Sequence, residues 1–370
     1  MRVAVVGGGA MGAAAAWRLS LRGAQVVCFD RFSPPHDLGS THGESRITRT
    51  AYFEGAWYVP LLQETFPMWR ALEAESGTDL FTLTGLLTVG PPDSEAVLGA
   101  LAAARQHGLE TRVLDTAEIR KQYPAHIVAE NEIAVVDPQA GFVRPEAAVA
   151  AMLGDRDVRR NTHVIALRPQ ADGVEVVTAH GSETFDSAVV AAGAWVRDLV
   201  PALPVRVERQ VMVWLALQSG TDLFTPDRFP VWLRDSTPHG DVYGFPSLDG
   251  KSVKLGRHHG GEAVDPESVR RMVTDADLDP LRLFVTTYLR GVTRSVVRSA
   301  VCLYTNTPDQ HFIVDTHPEL ANVVVLSACS GHGFKFAPVM GDIAADLVLD
   351  GKTRRDISRF SMARFANPAH

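Results

Sequence analysis

A lysine lies between two phenylalanines near the end of this 370-residue chain, in the stretch CSGHGFKF. Lys335 is one of only five lysines among 36 basic residues, and it follows a turn that contains Gly331 and Gly333. A buried lysine needs a partner, and a carboxylate or an electron-rich oxygen species would suit it. The alternative is an ammonium group that reaches water from an apolar stem. The residue pattern leaves both interpretations open.

A second lysine, Lys254, has apolar neighbours in the predicted strand SVKLGRH. Strand alternation would place Val253 and Leu255 on one side of the strand. Lys254, Gly256 and His258 would then share the other side. We expect Gly256 to leave an open bay between the two basic side chains, suited to a planar ring. An ammonium group that reaches solvent is again the alternative.

The first thirty residues predict the elements that could position these cations. Residues 2–6 predict a buried strand, and a helix and a second strand that ends at Asp30 follow. The turn after the first strand fits G-x-G-x-x-G, in which Gly7 permits the turn, Gly9 lets backbone approach a pyrophosphate and Gly12 allows close helix–strand packing. Asp30 would accept hydrogen bonds from ribose hydroxyls. This setting predicts dinucleotide binding without separating FAD from NAD, and a tight glycine turn is the alternative.

A loop dense in basic side chains follows the second strand, in RFSPPHDLGSTHGESRITRTAYFEG. Its prolines and glycines argue against a regular helix, and it carries His42, Arg46 and Arg49. A flavoprotein could use such a loop to position the far end of FAD and to hold an acidic substrate. A nicotinamide dehydrogenase needs no such loop, and a solvated surface loop with salt bridges is the alternative.

The rest of the chain predicts both strands and helices. Residues 163–191 read as a meander, a hairpin turns at Asp249-Gly250, and a helix is capped by Asp279 and opens with Pro280. We expect an α/β fold: a Rossmann-like FAD-binding domain with an inserted mixed β-sheet substrate domain of α+β type. The predicted FAD-binding domain is discontinuous, over 1–82, 146–203 and 302–370, and the predicted substrate-binding domain covers 83–145 and 204–301.

Composition and charge narrow the classes of partner. The formal net charge is −7 with no basic block, which argues against nucleic acid. The apolar opening is too short for a signal peptide and no apolar run reaches membrane length, so we expect no membrane partner and a cytoplasmic location. Cys28, Cys302 and Cys329 give neither a disulfide framework nor zinc spacing, and His258 and His259 point oppositely on a strand, so we expect no metal site.

Five segments carry a family resemblance, in family order from residue 3 to residue 342: VAVVGGGAMGAAAAWRLSLRG, LGSTHGESRITRTAY, YGFPSLDGKSVKLGRHH, CLYTNTPDQHFIVD and SGHGFKFAPVMGD. With these the chain resembles the monomeric sarcosine oxidase and N-methyltryptophan oxidase family, in the glycine/D-amino-acid oxidase group of flavoproteins. The resemblance implies an FAD-dependent oxidase of a secondary amine. Sarcosine or another N-methyl amino acid would lose hydride from its N-methyl carbon to flavin N5, and the imine would hydrolyse to formaldehyde and the primary amino acid. Oxygen would reoxidise the flavin and give hydrogen peroxide, and a monomer is the family default.

The resemblance also implies roles for single residues. Cys302 would link covalently to the flavin 8α-methyl, and Arg49 and Lys335 would bind the substrate carboxylate. The predicted catalytic residues are Lys254, which would promote reaction with oxygen, with Arg46, His42 and His258. Tyr243, Gly331 and Tyr304 complete the predicted substrate site. The predicted cofactor-binding residues are Gly7, Gly9, Met11, Gly12, Asp30, Ser40, Arg46, Cys302, Gly331, Gly333, Phe334 and Lys335.

Several alternatives stay open. An oxidase of a cyclic imino acid such as proline or pipecolate, an oxidase of a biosynthetic intermediate, or a flavin dehydrogenase with a protein electron acceptor would fit the same fold. An NAD-dependent dehydrogenase would leave Cys302 and the two lysines unexplained, and an inactive FAD-binding scaffold would not require them. The expected partners are a small amine or amino acid and oxygen.

Overall fold

The computed structural model describes residues 1–235 and 240–366. Its helices are α1 (Ala10–Leu21), α2 (Val59–Ser76), α3 (Glu95–His107), α4 (Thr116–Gln122), α5 (Pro145–Leu153), α6 (Val196–Leu199), α7 (Asp275–Tyr288) and α8 (Ala337–Asp350). Its strands are β1 (Arg2–Val6), β2 (Gln25–Phe29), β3 (Arg46–Thr48), β4 (Phe81–Leu83), β5 (Leu86–Gly90), β6 (Arg112–Leu114), β7 (Ile133–Asp137), β8 (Gly141–Val143), β9 (Asp157–Arg159), β10 (Val164–Gln170), β11 (Gly173–Thr178), β12 (Gly181–Phe185), β13 (Ser187–Val190), β14 (Arg206–Leu217), β15 (Val231–Arg234), β16 (Val242–Gly244), β17 (Ser252–Arg257), β18 (Glu262–Ala263), β19 (Val292–Asn306), β20 (Ile313–Thr316) and β21 (Val323–Ser327). None of these helices is both long enough and apolar enough to cross a membrane.

A largely parallel sheet of the described residues has the order β20-β21-β13-β1-β2-β9. Its central strands β1, β13 and β21 are short apolar runs that are buried almost throughout, as strands covered on both faces require. The α1 helix connects β1 to the parallel β2 and packs closely on α8, where a Cβ on Gly341 would overlap the backbone of Ala14. This packing places the start of α1 at the carboxyl end of β1, which is where a dinucleotide binds in such sheets.

The other large sheet follows the order β18-β14-β17-β16-β15-β5-β7-β6, with β19 paired to β14. The long strands β14 and β19 pair antiparallel and set Cys302 opposite Gln210. The α7 helix contributes Leu278, Leu281 and Phe284 to an apolar core shared with this sheet. The central strands therefore have a fixed register, which positions the side chains of β17 and β19.

A small sheet of the order β3-β8-β4 fixes the basic loop. Arg46 pairs with Val143 and Thr48 with Gly141, so backbone hydrogen bonds hold β3 against β8. The backbone of the same loop is held further by Glu146, which accepts from the amide of Gly43, and by Asp137, which accepts from the amide of Thr50. The basic loop is thus anchored beside the parallel sheet.

The predicted α/β class is confirmed, but two predicted elements are wrong in detail. The helix predicted from Asp279 begins at Asp275, because Thr274 and Asp277 form a capping box and Pro280 lies inside the helix. Such reciprocal caps satisfy two backbone donors, which a lone Asp279 cap would not. The last strand of the predicted meander is two strands, since the chain leaves β12 and enters the parallel sheet at Asp186.

The predicted division into two interleaved domains stays a prediction. The strands of the nine-stranded sheet come mostly from 83–145 and 204–301, as far as the described residues show. The predicted ranges also contain 236–239 and 367–370, which lie outside the described residues.

Candidate active site

A long cavity brings together most of the predicted site residues. It contains about 1810 Å³ of space that protein atoms do not fill, its open mouth included. The predicted residues that line it are Gly7, Gly9, Met11, Asp30, Ser40, Arg46, Arg49, Tyr243, His258, Cys302, Tyr304, Gly331, Gly333, Phe334 and Lys335. Gly12, His42 and Lys254 do not line it. Segments that are far apart in the sequence therefore converge on one hollow.

The glycine turn between β1 and α1 forms one part of the wall. Gly7 has φ +102°, and a Cβ there would overlap the carbonyl of Ala191, while a Cβ on Gly12 would overlap the carbonyl of Gly7. Gly9 faces open space instead, since the nearest atom to a Cβ there is Thr41 Oγ1 at 3.7 Å. The N-cap residue Gly9 supplies no side-chain cap, Thr41 Oγ1 accepts from the amide of Ala10 at 3.3 Å, and no acid lies in the first turn of α1. The backbone at Gly9 is therefore open to a phosphate at the positive end of a helix.

The carboxylate of Asp30 is held at the cavity wall by backbone donors. The amide of Gly8 donates to Asp30 Oδ2 and the amide of Phe32 donates to Oδ1, each at 2.7 Å. These bonds fix the orientation of the carboxylate where β2 ends. Its contact with a ribose stays a prediction.

Cys302 lies on β19 with its side chain buried in the cavity wall. Arg46 Nη2 donates to Cys302 Sγ at 3.6 Å, and the thiol lies 3.5 Å from the carbonyl of Ser40. Burial raises the pKa of the thiol, and the nearby Arg46 guanidinium opposes that rise. The net effect is a raised pKa, so Cys302 rests as a thiol, and Arg46 is the nearby group that would favour its nucleophilic thiolate.

Arg49 is paired with a carboxylate that the sequence analysis missed. Its Nη2 donates to Glu54 Oε1 in the cavity wall, where Arg49 is buried and Glu54 is partly buried. Arg49 Nη1 and Glu54 Oε2 have no hydrogen-bond partner among the described residues. Burial by itself would raise the pKa of Glu54, but Arg49, His332 and Lys335 lower it, so the group is a carboxylate. The cavity thus presents a free donor beside a free acceptor.

Lys335 is buried, with 5% of its surface exposed, so the interpretation as a solvent-reaching lysine is wrong. Its Nζ donates to the carbonyl of His332 at 2.7 Å and to Tyr52 Oη at 3.4 Å. Burial, and then the Arg49 guanidinium, lowers the pKa of Lys335 to about 7, while Glu54 raises it. Near neutral pH the site can therefore hold either one or two positive charges next to Glu54.

Lys254 is buried as well, but it faces a different space. Its Nζ donates to the carbonyls of Gly43 and Ser45 at 2.6 Å each, and to Ser45 Oγ at 3.2 Å. It lines a second cavity of about 730 Å³, measured in the same way, whose wall shares Phe245 with the long cavity. Burial, and then the charge of Arg46, lowers the pKa of Lys254 well below its ordinary value.

The open bay expected at Gly256 is filled, and that prediction was wrong. Tyr243 on β16 is the cross-strand partner of Gly256, and a Cβ on Gly256 would come within 2.7 Å of Tyr243 Oη. The glycine is needed because the phenol of the neighbouring strand lies over it. The missing side chain therefore makes room for Tyr243, which itself lines the long cavity.

The rest of the lining is mostly apolar, with Tyr243, Tyr304 and His258 among its polar side chains. Gly331 has φ +77°, and the ring of Tyr304 packs where its Cβ would point, at 2.5 Å. Burial raises the pKa of Tyr243 to about 12, so its phenol keeps its proton. Burial, and then the neighbouring His259, lowers the pKa of His258 well below its ordinary value, so its imidazole is neutral. For His42, burial and then Arg46 lower the pKa to about 4.

Sequence reasoning missed Glu54, Tyr52 and His332. All three stand in segments that were singled out for their basic residues, AYFEG and SGHGFKF. An acid five residues after a candidate anion-binding arginine was the available signal for Glu54. No group of three or more His, Cys, Asp or Glu side chains in the described part of the chain could hold a metal ion.

Comparison with known proteins gives consistent similarities over nearly the whole chain. A family model described as FAD dependent oxidoreductase matches residues 2–347. A monomeric sarcosine oxidase of Streptomyces avermitilis is 38% identical over 98% of this chain and 97% of that protein. An N-methyl-L-tryptophan oxidase of Yersinia pestis is 37% identical over 98% of both chains.

Solved structures agree with this similarity. NikD, described as an unusual amino acid oxidase essential for nikkomycin biosynthesis, superposes with a TM-score of 0.86 at 26% identity, over 97% of this chain and 96% of that one. A glycine oxidase from Geobacillus kaustophilus superposes with a TM-score of 0.82 at 21% identity, over 98% and 99% of the two chains. At 21% identity, the similarity to the glycine oxidase shows the fold alone.

Proposed function

The chain belongs to the family of FAD-dependent oxidoreductases, and we propose that it oxidises the secondary amine of an N-methyl amino acid with oxygen as electron acceptor. One observation carries the proposal: the same cavity contains a glycine turn with open space at a helix N-terminus, the buried cations Arg49 and Lys335, and the uncharged polar side chains of Tyr243 and His258. Sarcosine and N-methyltryptophan are the substrates in the names of the relatives. Formaldehyde, hydrogen peroxide and the primary amino acid are the products that this reaction would give.

The residues present fit FAD. Gly9 leaves space at the N-terminus of α1 for a pyrophosphate, and Asp30 stands where a ribose would lie. We propose that Cys302 is the residue that would bond to the flavin 8α-methyl carbon, with loss of the thiol proton and one methyl hydrogen and with oxygen as the final acceptor of the electron pair, since its sulfur lies in the cavity wall beside the guanidinium of Arg46. Bound FAD would supply the two-electron acceptor for the amine, and the chain would supply positioning and charge.

Arg49 and Lys335 are proposed to hold the substrate carboxylate. Arg49 Nη1 is a buried donor without a partner, and an anion would satisfy it. A guanidinium and an ammonium group together attract a carboxylate in a site from which water is largely excluded. The neutral imidazole of His258 can accept a hydrogen bond from the amine, whereas an imidazolium would repel it.

Lys254 is proposed to assist the reaction with oxygen through its field. All three of its N–H groups are used by Gly43 and Ser45, so it has no donor left for a direct contact. The three oxygen atoms that accept from Nζ favour the charged form against the effect of burial, and a positive charge there would stabilise negative charge that develops nearby. The monomeric state and the cytoplasmic location stay predictions.

The test is a peroxide-coupled screen of the purified yellow protein. The substrates are sarcosine, other N-methyl amino acids, proline, pipecolate and glycated amino acids, each compared with the primary amino acid. We expect peroxide and an equal amount of formaldehyde from at least one N-methyl amino acid. Peroxide from a cyclic imino acid without formaldehyde would favour the alternative oxidase, and reduction of an artificial acceptor without peroxide would favour a dehydrogenase.

A further inference from the structure

The ammonium group of Lys335 ends a chain of hydrogen bonds that continues deep into the protein. Tyr52 Oη accepts from Lys335 Nζ at 3.4 Å, and the same hydroxyl lies 2.5 Å from Nδ1 of His332. The other ring nitrogen of His332, Nε2, lies 2.9 Å from the carbonyl oxygen of Gln310. Lys335, Tyr52 and His332 are all buried.

The Gln310 carbonyl at the end of this series determines which group donates and which accepts in each of its hydrogen bonds. The Gln310 carbonyl can only accept, so Nε2 of His332 carries the proton. Burial lowers the pKa of His332 to about 3, so the ring has a single proton and Nδ1 is an acceptor. Tyr52 must therefore donate its hydroxyl proton to Nδ1. A lone pair of Tyr52 Oη is then left for Lys335.

This arrangement uses two of the three donors of the ammonium group. One N–H of Lys335 goes to Tyr52 Oη and one to the carbonyl of His332. In the described part of the chain no third acceptor bonds to Lys335 Nζ, and the residue lines the long cavity. By contrast, protein acceptors take all three donors of Lys254.

We propose that Tyr52 and His332 are positioning residues that fix the Lys335 ammonium so that its one remaining N–H points to the substrate carboxylate. The inference deepens the proposed function and rests on it. The charged or titratable groups that face Lys335 are Arg49, Glu54, Tyr52, His332 and His258. Because Tyr52 accepts from the ammonium group, it also favours the charged form of Lys335.

The test measures acetate binding to the purified flavoprotein by calorimetry as a function of pH, which does not require turnover. In Tyr52→Phe we expect acetate to bind about tenfold more weakly, since one bond that orients a charged donor is lost. The pH above which acetate binding fails should fall by roughly one unit, because the neutral form of Lys335 is then relatively favoured. His332→Leu should act in the same direction, and the double variant should be no weaker than Tyr52→Phe alone.

Tyr58 offers a matched control. It is fully buried, its ring lies 5.3 Å from that of Tyr52, and its hydroxyl lies 3.3 Å from His311 Nδ1 rather than from Lys335. Tyr58→Phe therefore removes an equally buried hydroxyl without changing the hydrogen bonds that link Lys335, Tyr52 and His332. Acetate affinity and its pH dependence should stay as in the wild type.

Three outcomes would overturn the proposal. They are a wild type that does not bind acetate, a folded Tyr52→Phe with unchanged affinity and pH dependence, and a Tyr58→Phe that weakens acetate as much as Tyr52→Phe. If Tyr52→Phe does not fold, an unchanged His332→Leu overturns it in the same way. An inactive enzyme in the peroxide screen would instead refute the proposed function and leave the acetate titration interpretable.

Discussion

Replacing Lys335 by methionine should stabilise the protein while it abolishes anion binding. Burial lowers the pKa of Lys335 from 10.5 to about 7, so the folded state binds its proton less tightly than the unfolded state. Below pH 7 folding must therefore accommodate a poorly solvated ammonium group, and this penalty disappears as the pH rises from 7 towards 10.5. With 1.36 kcal/mol per unit, Lys335→Met should gain on the order of 5 kcal/mol at pH 6 and about 2 kcal/mol at pH 9.

The assay is urea unfolding of wild type and Lys335→Met at both pH values, followed by acetate titration of the same samples. Lys352→Met, at an exposed position just after α8, is the control and should match the wild type. The stability gain should shrink as the pH rises, and acetate binding should be lost at every pH. A gain that is absent, or that grows between pH 6 and pH 9, would refute the view that the fold holds this ammonium group at a cost.

Three further predictions concern the cofactor site and the second lysine. Acid-denatured wild type should keep its yellow flavin, Cys302→Ser should release it, and Cys329→Ser should behave as wild type; colour retained by Cys302→Ser would place any link elsewhere. Lys254→Met should leave reduction by substrate within about twofold and slow reoxidation by oxygen at least tenfold, measured by stopped flow, since only a nearby fixed charge is lost; equal reoxidation rates would refute that role. Gly9→Ala should fold normally, because the nearest protein atom to its Cβ lies 3.7 Å away, but it should bind little flavin, because that Cβ would occupy the space proposed for the pyrophosphate. Gly12→Ala, whose Cβ would overlap the carbonyl of Gly7, should also lower the melting temperature. Full flavin occupancy in Gly9→Ala would contradict the proposed phosphate position.

The glycine turn and the position of Asp30 were predictable from the sequence because their determinants are local, while their contact with a cofactor stays a prediction. Gly7, Gly9, Gly12 and Asp30 lie within thirty residues, and the strand, turn and helix that hold them are consecutive. Each has a conformational or hydrogen-bonding reason that can be stated before any tertiary contact is known. The structure places all but Gly12 in the cavity wall, and Gly12 packs against Gly7 as its assigned role requires.

The substrate end could not be read in this way because it depends on register and on long-range pairing. Which residue fills the space at Gly256 follows from the β16–β17 register, which sets Tyr243 opposite it. The hydrogen bond between Lys335 and Tyr52 joins residues that are 283 positions apart in the sequence. The convergence of Arg49 with Lys335 came from the family resemblance, because nothing in the spacing of the two residues indicates it.

The two buried lysines show why residue type alone does not define a role. Lys254 gives every donor to the protein and can act on a ligand only through its charge. Lys335 keeps one donor and can touch a ligand as well. An arginine would keep its charge at any pH, whereas a lysine with a pKa of about 7 can lose it. A substrate carboxylate that binds Lys335 should raise that pKa again, so anion binding near neutral pH should be accompanied by proton uptake, which calorimetry in buffers of different ionisation enthalpy would detect.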